Sequence, residues 1–112
     1  MKTVDIRDVQ NALLAINAED DLKGFGQAAL AIFFVTQDED LLKGVTKRLY
    51  PRVEEASGAS AGTMERNLRT LIARCWKRDC RRTLELMARR EVEKKPTPLQ
   101  LIEIVAVYLM RN

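Results

Sequence analysis

Apolar residues recur at steps of three and four along most of this sequence, and few residues interrupt the pattern. The 112 residues include only five glycines and three prolines, so few positions break a helix. No stretch alternates apolar and polar residues as a half-buried strand does. A chain of this length is typical of one domain with a single core. The pattern therefore predicts an all-α fold: one domain over residues 1–112, built from six helices.

Local sequence signals predict the ends of the first two helices and the apolar face of the first helix. A first amphipathic helix is predicted to end near Asn17. Asp20 and Asp21 precede the second helix and are expected to cap it. Gly24 and Gly26 in its first turn would let a neighbouring backbone approach closely, or would fray the turn. The apolar face predicted for the first helix consists of Val4, Ile6, Val9, Leu13, Leu14 and Ile16.

The composition argues against several classes of function. The sequence has no run of 18 apolar residues, so it predicts no transmembrane helix, and its acidic N-terminus does not fit a signal peptide. We therefore expect the protein in the cytoplasm. The sequence has no histidine and no glycine-rich phosphate loop, hence no acid–base pair or nucleophile for an enzyme. Cys75 and Cys80 lack CxxC spacing, which predicts ordinary thiols. We therefore expect no enzymatic activity, no metal and no cofactor.

Positive charge is concentrated in the second part of the chain. Residues 45–112 carry fifteen Lys and Arg against eight Asp and Glu, whereas residues 1–44 carry four against eight. Such a basic region is typical of a domain that binds an anionic partner such as nucleic acid. A solvated helix face has the same composition, so charge alone leaves both interpretations open.

Residues 51–78 have the layout of a helix-turn-helix: a short helix that Pro51 can begin, a turn at Gly58, and a long helix that Ser60 or Thr63 can cap. Apolar residues on both helices follow steps of three and four, which predicts one inward face on each. The inward residues are Val53 and Ala56 on the short helix, and Met64, Leu68, Leu71, Ile72 and Cys75 on the long helix, with Trp76 at its edge.

The outward face of the long helix, about residues 61–78, has the chemistry of a recognition helix in the major groove. Arg66 and Arg69 lie one turn apart, and each guanidinium can bind guanine O6 and N7. Glu65 can accept from a cytosine amine or orient a neighbouring arginine. Small residues at the helix N-terminus would let free N–H groups approach a phosphate. The predicted base-reading residues are Glu65, Arg66 and Arg69, and the predicted phosphate and other DNA contacts are Ser60, Gly62, Thr63, Thr70, Lys77, Arg78 and Arg81, with Arg74 and Arg82 as further cations.

Several segments of the sequence resemble one known family. They are "LYP" at 49–51, "MERNLRTLIARCW" at 64–76 and "KPT" at 95–97. These motifs are similar to those of the C-terminal effector domain of the sporulation master response regulator of endospore-forming bacteria. Residues 23–51 and 96–109 also look like helices of that family, so the resemblance covers nearly the whole chain. It implies a six-helix domain with a helix-turn-helix, like a winged-helix regulator effector without strands.

The resemblance implies a sequence-specific DNA-binding transcriptional regulator that reads a short box, often as head-to-tail pairs of copies on tandem boxes. Double-stranded DNA is then the partner, and RNA polymerase is a further candidate partner. The family's base-reading glutamate and arginine fall on Glu65 and Arg66, and its further arginine falls on Arg69. Thr70 stands where the family has a histidine and Thr63 where it has an arginine, which removes potential phosphate contacts.

The sequence departs from the family in what it lacks. Family members carry a phospho-acceptor receiver domain ahead of this one, and no pattern of alternating strands and helices occurs here. Because a coherent first helix begins near Met1, we expect a stand-alone protein, not switched by aspartyl phosphorylation, rather than an excised domain. The segment 76–96 is also shorter than in the family, where it shapes contacts between neighbouring copies.

A protein-interaction module of the same fold is the alternative function. The basic helix would then bind another regulator or an acidic partner instead of DNA. Glu54, Glu55 and Glu65 support this alternative because they dilute the positive charge around the turn. The retention of Arg66 and Arg69 supports DNA binding instead.

Overall fold

A computed structural model of the protein describes residues 3–111. Within this range the regular structure is entirely helical, which confirms the predicted all-α fold. None of the helices in the range combines the length and apolar character needed to cross a membrane. The six α-helices are α1 (Ile6–Ala15), α2 (Lys23–Gln37), α3 (Tyr50–Ser57), α4 (Ala61–Lys77), α5 (Arg81–Ala88) and α6 (Pro98–Arg111).

The apolar helix α2 lies at the centre of the fold. It packs against α1, α3, α4 and α6, whereas α5 packs against α6. Burial of these apolar faces is the main force that holds the six helices together. Across residues 3–111 no charged side chain is buried in the core. The buried residues of α2 are Gly24, Phe25, Ala28, Ala29, Ala31, Ile32 and Val35.

Helix α1 begins with a reciprocal cap and buries one stripe. Asp5 accepts a hydrogen bond from the Asp8 N–H (2.9 Å), and the Asp8 carboxylate accepts one from the Asp5 N–H (3.1 Å). The predicted apolar face is wrong at Ile6 and Leu14, which are exposed. The buried stripe instead includes Ala12, which lies three residues after Val9 and four residues before Ile16. These members are Val9, Ala12, Leu13 and Ile16.

The segment before α2 differs from the expectation, and two short helical segments follow α2. Asp20 and Asp21 do not cap α2. The helix begins at Lys23, so Leu22 occupies the cap position and forms no side-chain cap. After α2, residues Glu39–Gly44 form a 3₁₀ helix and residues Val45–Leu49 a π-helical turn. These two segments lead directly into α3.

Helix α4 approaches the backbone of α2 at Gly24. A Cβ atom at Gly24 would lie 2.5 Å from the backbone oxygen of Asn67 and 2.9 Å from its carbonyl carbon. Next to this contact, the Asn67 side-chain amide donates a hydrogen bond to Gln27 Oε1 (3.1 Å). The close approach predicted for Gly24 is therefore present, whereas a Cβ at Gly26 would meet no atom within 4 Å. This contact fixes α4 on the core and so determines which of its faces points outward.

We predict opposite effects of the same substitution at these two glycines of α2. Gly24→Ala should lower the free energy of unfolding by about 1–3 kcal/mol, because the added methyl group would push α4 away from α2. Gly26→Ala should raise it by up to about 1 kcal/mol, because alanine favours a helix and the site is open. Urea unfolding followed by circular dichroism measures both. Equal changes in the two variants would contradict the role assigned to the α2–α4 contact.

Candidate nucleic-acid interface

A three-residue turn joins α3 to α4. Gly58 adopts a left-handed conformation (φ 78°), and its N–H donates to the Glu54 carbonyl at 2.7 Å, which ends α3. Ser60 then caps α4 by accepting a hydrogen bond from the Thr63 N–H at 3.3 Å. Of the two capping candidates in the sequence, Ser60 is therefore the cap. The turn brings the start of α4 to the surface directly after α3.

The inward faces of this helix pair are as predicted, with one exception. On α4 the five predicted inward residues are buried and Trp76 is half-buried. On α3, Val53 is buried but Ala56 is exposed, because α3 is only eight residues long and its last turn extends beyond the core. The five inward residues of α4 are Met64, Leu68, Leu71, Ile72 and Cys75.

The outward face of α4 presents two arginines in different states. Arg66 is exposed, and no ion pair holds it within residues 3–111. Arg69, one turn further along, lies with its Nε 3.3 Å from Glu65 Oε2. Glu65 and Arg69 thus form an ion pair between successive turns of α4.

Glu65 is held from the other side by a tyrosine of α3. The Tyr50 hydroxyl donates a hydrogen bond to Glu65 Oε1 at 2.5 Å. Tyr50 is buried, with only 3% of its surface exposed. Burial, followed by the hydrogen bond to Glu65 and its negative charge, raises the pKa of the Tyr50 hydroxyl well above its usual value. The phenol therefore stays protonated and remains a donor at neutral pH.

The C-terminal end of α4 is tied to the loop between α1 and α2. Glu19 Oε1 lies 3.3 Å from Arg78 Nη1 and 3.7 Å from Arg74 Nη1, so one carboxylate pairs with two cations. Asn17 adds a hydrogen bond from its side-chain amide to the Arg78 carbonyl at 3.1 Å. The Arg78 side chain, predicted to contact phosphate, thus has a carboxylate partner within the protein.

Arg81 is also paired, whereas Lys77 is not. Arg81 Nε lies 3.5 Å from Glu85 Oε2, and the same carboxylate oxygen accepts a hydrogen bond from the Val92 N–H at 2.9 Å. Lys77 is exposed and forms no ion pair in the described range. Lys77 is therefore the more available of these cations for an external anion.

The small polar residues at the start of α4 are exposed. The Ser60 hydroxyl donates to Thr63 Oγ1 at 3.0 Å, which leaves the Thr63 hydroxyl proton free to donate elsewhere. A Cβ added at Gly62 would meet no atom within 4 Å, so the fold itself does not require glycine there. Thr70 is exposed and donates its hydroxyl hydrogen bond to the Arg66 carbonyl at 3.1 Å, within the helix.

Three residues of this region were not identified from the sequence. Tyr50 and Glu19 contact α4 from other parts of the chain, and no local spacing indicates such contacts. The guanidinium of Arg52, in the first turn of α3, lies over the Phe34 ring at 4.7 Å from its centroid, a cation–π contact that holds an exposed cation against α2.

The functional groups of the described residues form no other recognisable centre. No cluster of three or more His, Cys, Asp or Glu side chains with metal-binding geometry occurs within residues 3–111. Cys75 and Cys80 are free and buried, and burial raises the pKa of both thiols, that of Cys75 to about 12. These thiols are therefore neutral at physiological pH and poor nucleophiles.

One family of known proteins matches this chain. Residues 9–109 match the family described as "Sporulation initiation factor Spo0A C terminal". Domains of this family are DNA-binding effector domains of a sporulation regulator. The match spans α2–α5 completely, includes α6 up to Leu109, and contains all of the α3–α4 helix pair.

We predict that the two glycines of this helix pair respond oppositely to alanine. Gly58→Ala should destabilise the protein by about 1–2 kcal/mol, because an L-residue is strained in the left-handed conformation. Gly62→Ala should stabilise it by up to about 1 kcal/mol, because its site is open and helical. Thermal unfolding of the two variants beside the wild type measures both changes. A loss of stability in Gly62→Ala would show that the fold requires this glycine.

Proposed function

This chain belongs to the family of sporulation initiation factor Spo0A C-terminal domains, and we propose that it is a sequence-specific transcription regulator. In this proposal α4 is the recognition helix and enters the major groove of double-stranded DNA. The groove is wide enough to admit one helix. The helix has 17 residues, so it spans about 25 Å and can reach bases with one part and phosphates with another.

The observation that carries the proposal is the exposed Arg66 beside the oriented Arg69. Arg66 has no carboxylate partner within residues 3–111, so binding a base does not first require an ion pair to break. The contact of Arg69 with Glu65 uses Nε, so the two terminal nitrogens can still donate to guanine O6 and N7. We assign base reading to both arginines, and to Glu65 the orientation of Arg69, the second of the two roles considered for it.

The start of α4 supports a phosphate contact in the same pose. The first N–H groups of a helix have no partner inside it, and they attract anions together with the helix dipole. The open site at Gly62 would let a phosphate approach this backbone. The free hydroxyl proton of Thr63 can donate to the same group. We therefore propose Gly62 and Thr63 as phosphate contacts, with Ser60 and Thr70 beside them.

The basic residues at the other end of α4 are expected to contribute unequally. Lys77 is free to bind a phosphate directly. Arg78 and Arg81 must first give up their ion pairs with Glu19 and Glu85. The loss of these pairs offsets part of the free energy gained from the phosphate contact. We accordingly assign the largest electrostatic contribution to Lys77.

Selection of bound sequences from random duplex DNA tests the proposal directly. Enrichment of a short box that contains G·C pairs is the expected result. Absence of enrichment would leave the alternative, a protein-interaction module of the same fold. The exposed carboxylates of Glu54 and Glu55 on α3 would then be part of its binding surface.

Further partners and the location of the protein belong to the same proposal. We propose head-to-tail pairing of copies on tandem boxes and contact with RNA polymerase, both in the cytoplasm. Binding to duplexes that carry one box or two, with and without polymerase, would reveal each of these interactions.

We predict that Arg66→Ala weakens binding to the selected box by about 1–3 kcal/mol and relaxes the preference at one base pair. The reason is the loss of two hydrogen bonds to one guanine. Electrophoretic mobility shifts with the selected box and with single-pair variants measure both effects. Arg7→Ala, which removes an exposed cation from α1, is the matched control. Unchanged affinity and preference in Arg66→Ala would show that Arg66 reads no base.

We predict that Lys77 and Arg81 differ in their effect on the salt dependence of binding. Lys77→Ala should reduce the slope of log K against log salt by about 0.9, the value for one lost phosphate contact. Arg81→Ala should reduce it less, because Arg81 is already paired with Glu85. Affinities measured between low and moderate salt give both slopes. A larger change for Arg81 than for Lys77 would contradict the assignment.

A further inference from the structure

We propose that Tyr50 is a positioning residue for base recognition, acting through Glu65 to fix the guanidinium of Arg69. Tyr50 would not touch DNA, since it is buried on α3. This inference rests on the proposed function, because it concerns how α4 distinguishes one base pair from another. It also makes a prediction of its own: the base pair facing Arg69 is read more strictly than the pair facing Arg66.

The first step is the lock on Glu65. The Tyr50 ring is held in the core, and its hydroxyl donates to Glu65 Oε1 at 2.5 Å. A hydrogen bond from a hydroxyl to a carboxylate is short and about twice as strong as a neutral one. Tyr50 and Glu65 lie on different helices, 15 positions apart, so the bond also joins α3 to α4. Glu65 is therefore fixed by a rigid part of the fold rather than by solvent.

The second step is the ordering of the Arg69 side chain by its ion pair with Glu65. The Arg69 side chain is 64% exposed and that of Glu65 is 37% exposed. An exposed pair of this kind contributes little by itself, because two long side chains must both lose their freedom. Here Tyr50 has already restricted Glu65, so only Arg69 has to be ordered. The same ion pair then orients the arginine before DNA arrives, which lowers the entropy lost on binding.

The third step is the direction in which Arg69 points its donors. Glu65 Oε2 faces Nε of Arg69 at 3.3 Å. The two terminal nitrogens remain for a bidentate contact, which matches O6 and N7 of guanine. Arg66 has no such support within residues 3–111, so it can adapt to different bases or to a phosphate. The two neighbouring arginines therefore differ in rigidity, and the difference originates at Tyr50.

The test is Tyr50→Phe, which removes one hydroxyl and keeps the ring in the core. The base pair read by Arg69 is first located as the position whose preference disappears in Arg69→Ala. At that position Tyr50→Phe should lower the discrimination between G·C and the other pairs by about tenfold, as expected for a hydrogen bond to a charged group. Binding to random DNA, its salt slope and the preference at the Arg66 position should not change.

Two further single variants and one double variant separate positioning from a general loss of structure. Tyr108→Phe removes the hydroxyl of the other tyrosine, on α6, and should leave discrimination unchanged. Glu65→Gln keeps an acceptor for the Tyr50 hydroxyl but removes the charge that pairs with Arg69, so it tests the same chain of contacts if Tyr50→Phe does not fold. It should lower discrimination at the Arg69 position, and unchanged discrimination there would overturn the inference. In the Arg69→Ala background, Tyr50→Phe should have no additional effect on discrimination.

The outcomes distinguish this inference from the proposed function. If the wild type enriches no box, the proposed function fails and this inference fails with it. If the wild type enriches a box but folded Tyr50→Phe keeps full discrimination at the Arg69 position, the inference is overturned and the proposed function stands. An equal loss of preference at every position would also overturn it, because positioning through Glu65 acts on one arginine only.

Discussion

The backbone contact between α2 and α4 is the constraint on which the outward surface depends. At Gly24 the two helices are so close that even one methyl group would collide with the Asn67 carbonyl. Because α2 also packs against α1, α3 and α6, the same helix sets the position of the whole core. The rotation of α4 about its axis follows from this contact and from its five buried residues. Arg66 and Arg69 point outward as a consequence of how α2 is packed.

The sequence predicted those parts of the structure that depend on neighbours along the chain. Steps of three and four gave the inward face of α4, and Gly58 and Ser60 marked the turn, because these signals are local. The sequence did not predict that Tyr50 would hold Glu65, or that Glu19 would pair with Arg78. Both contacts join residues distant in sequence, and only the packing of the helices brings them together. The exposure of Ile6 and Leu14 has the same cause, because apolar character alone does not say which residues the neighbouring helices cover.

The arginines of this domain differ in the carboxylate with which each one pairs. Glu19 and Glu85 hold cations at the C-terminal end of α4 and at the start of α5. The Glu19 pairs connect the α1–α2 loop to the end of α4, whereas the Arg81–Glu85 pair lies within α5. All of them reduce the positive charge that is available outside. Glu65 differs from them because it also accepts a hydrogen bond from the Tyr50 hydroxyl and, in our proposal, orients Arg69 for DNA. A simple count of basic residues therefore overstates the charge that α4 offers to an anion.

The independence of Arg66 from the rest of the fold has a consequence for divergence within the family. Within residues 3–111 this side chain takes part in no ion pair, and its Cβ lies on the exposed face of a helix anchored elsewhere. Under the proposed function, a substitution there would change which base is recognised while folding stays as it is. Position 65 has no such freedom, since its carboxylate belongs to the junction between α3 and α4. A change in the preferred box should thus arise first by substitution at position 66, whereas Glu65 should be retained.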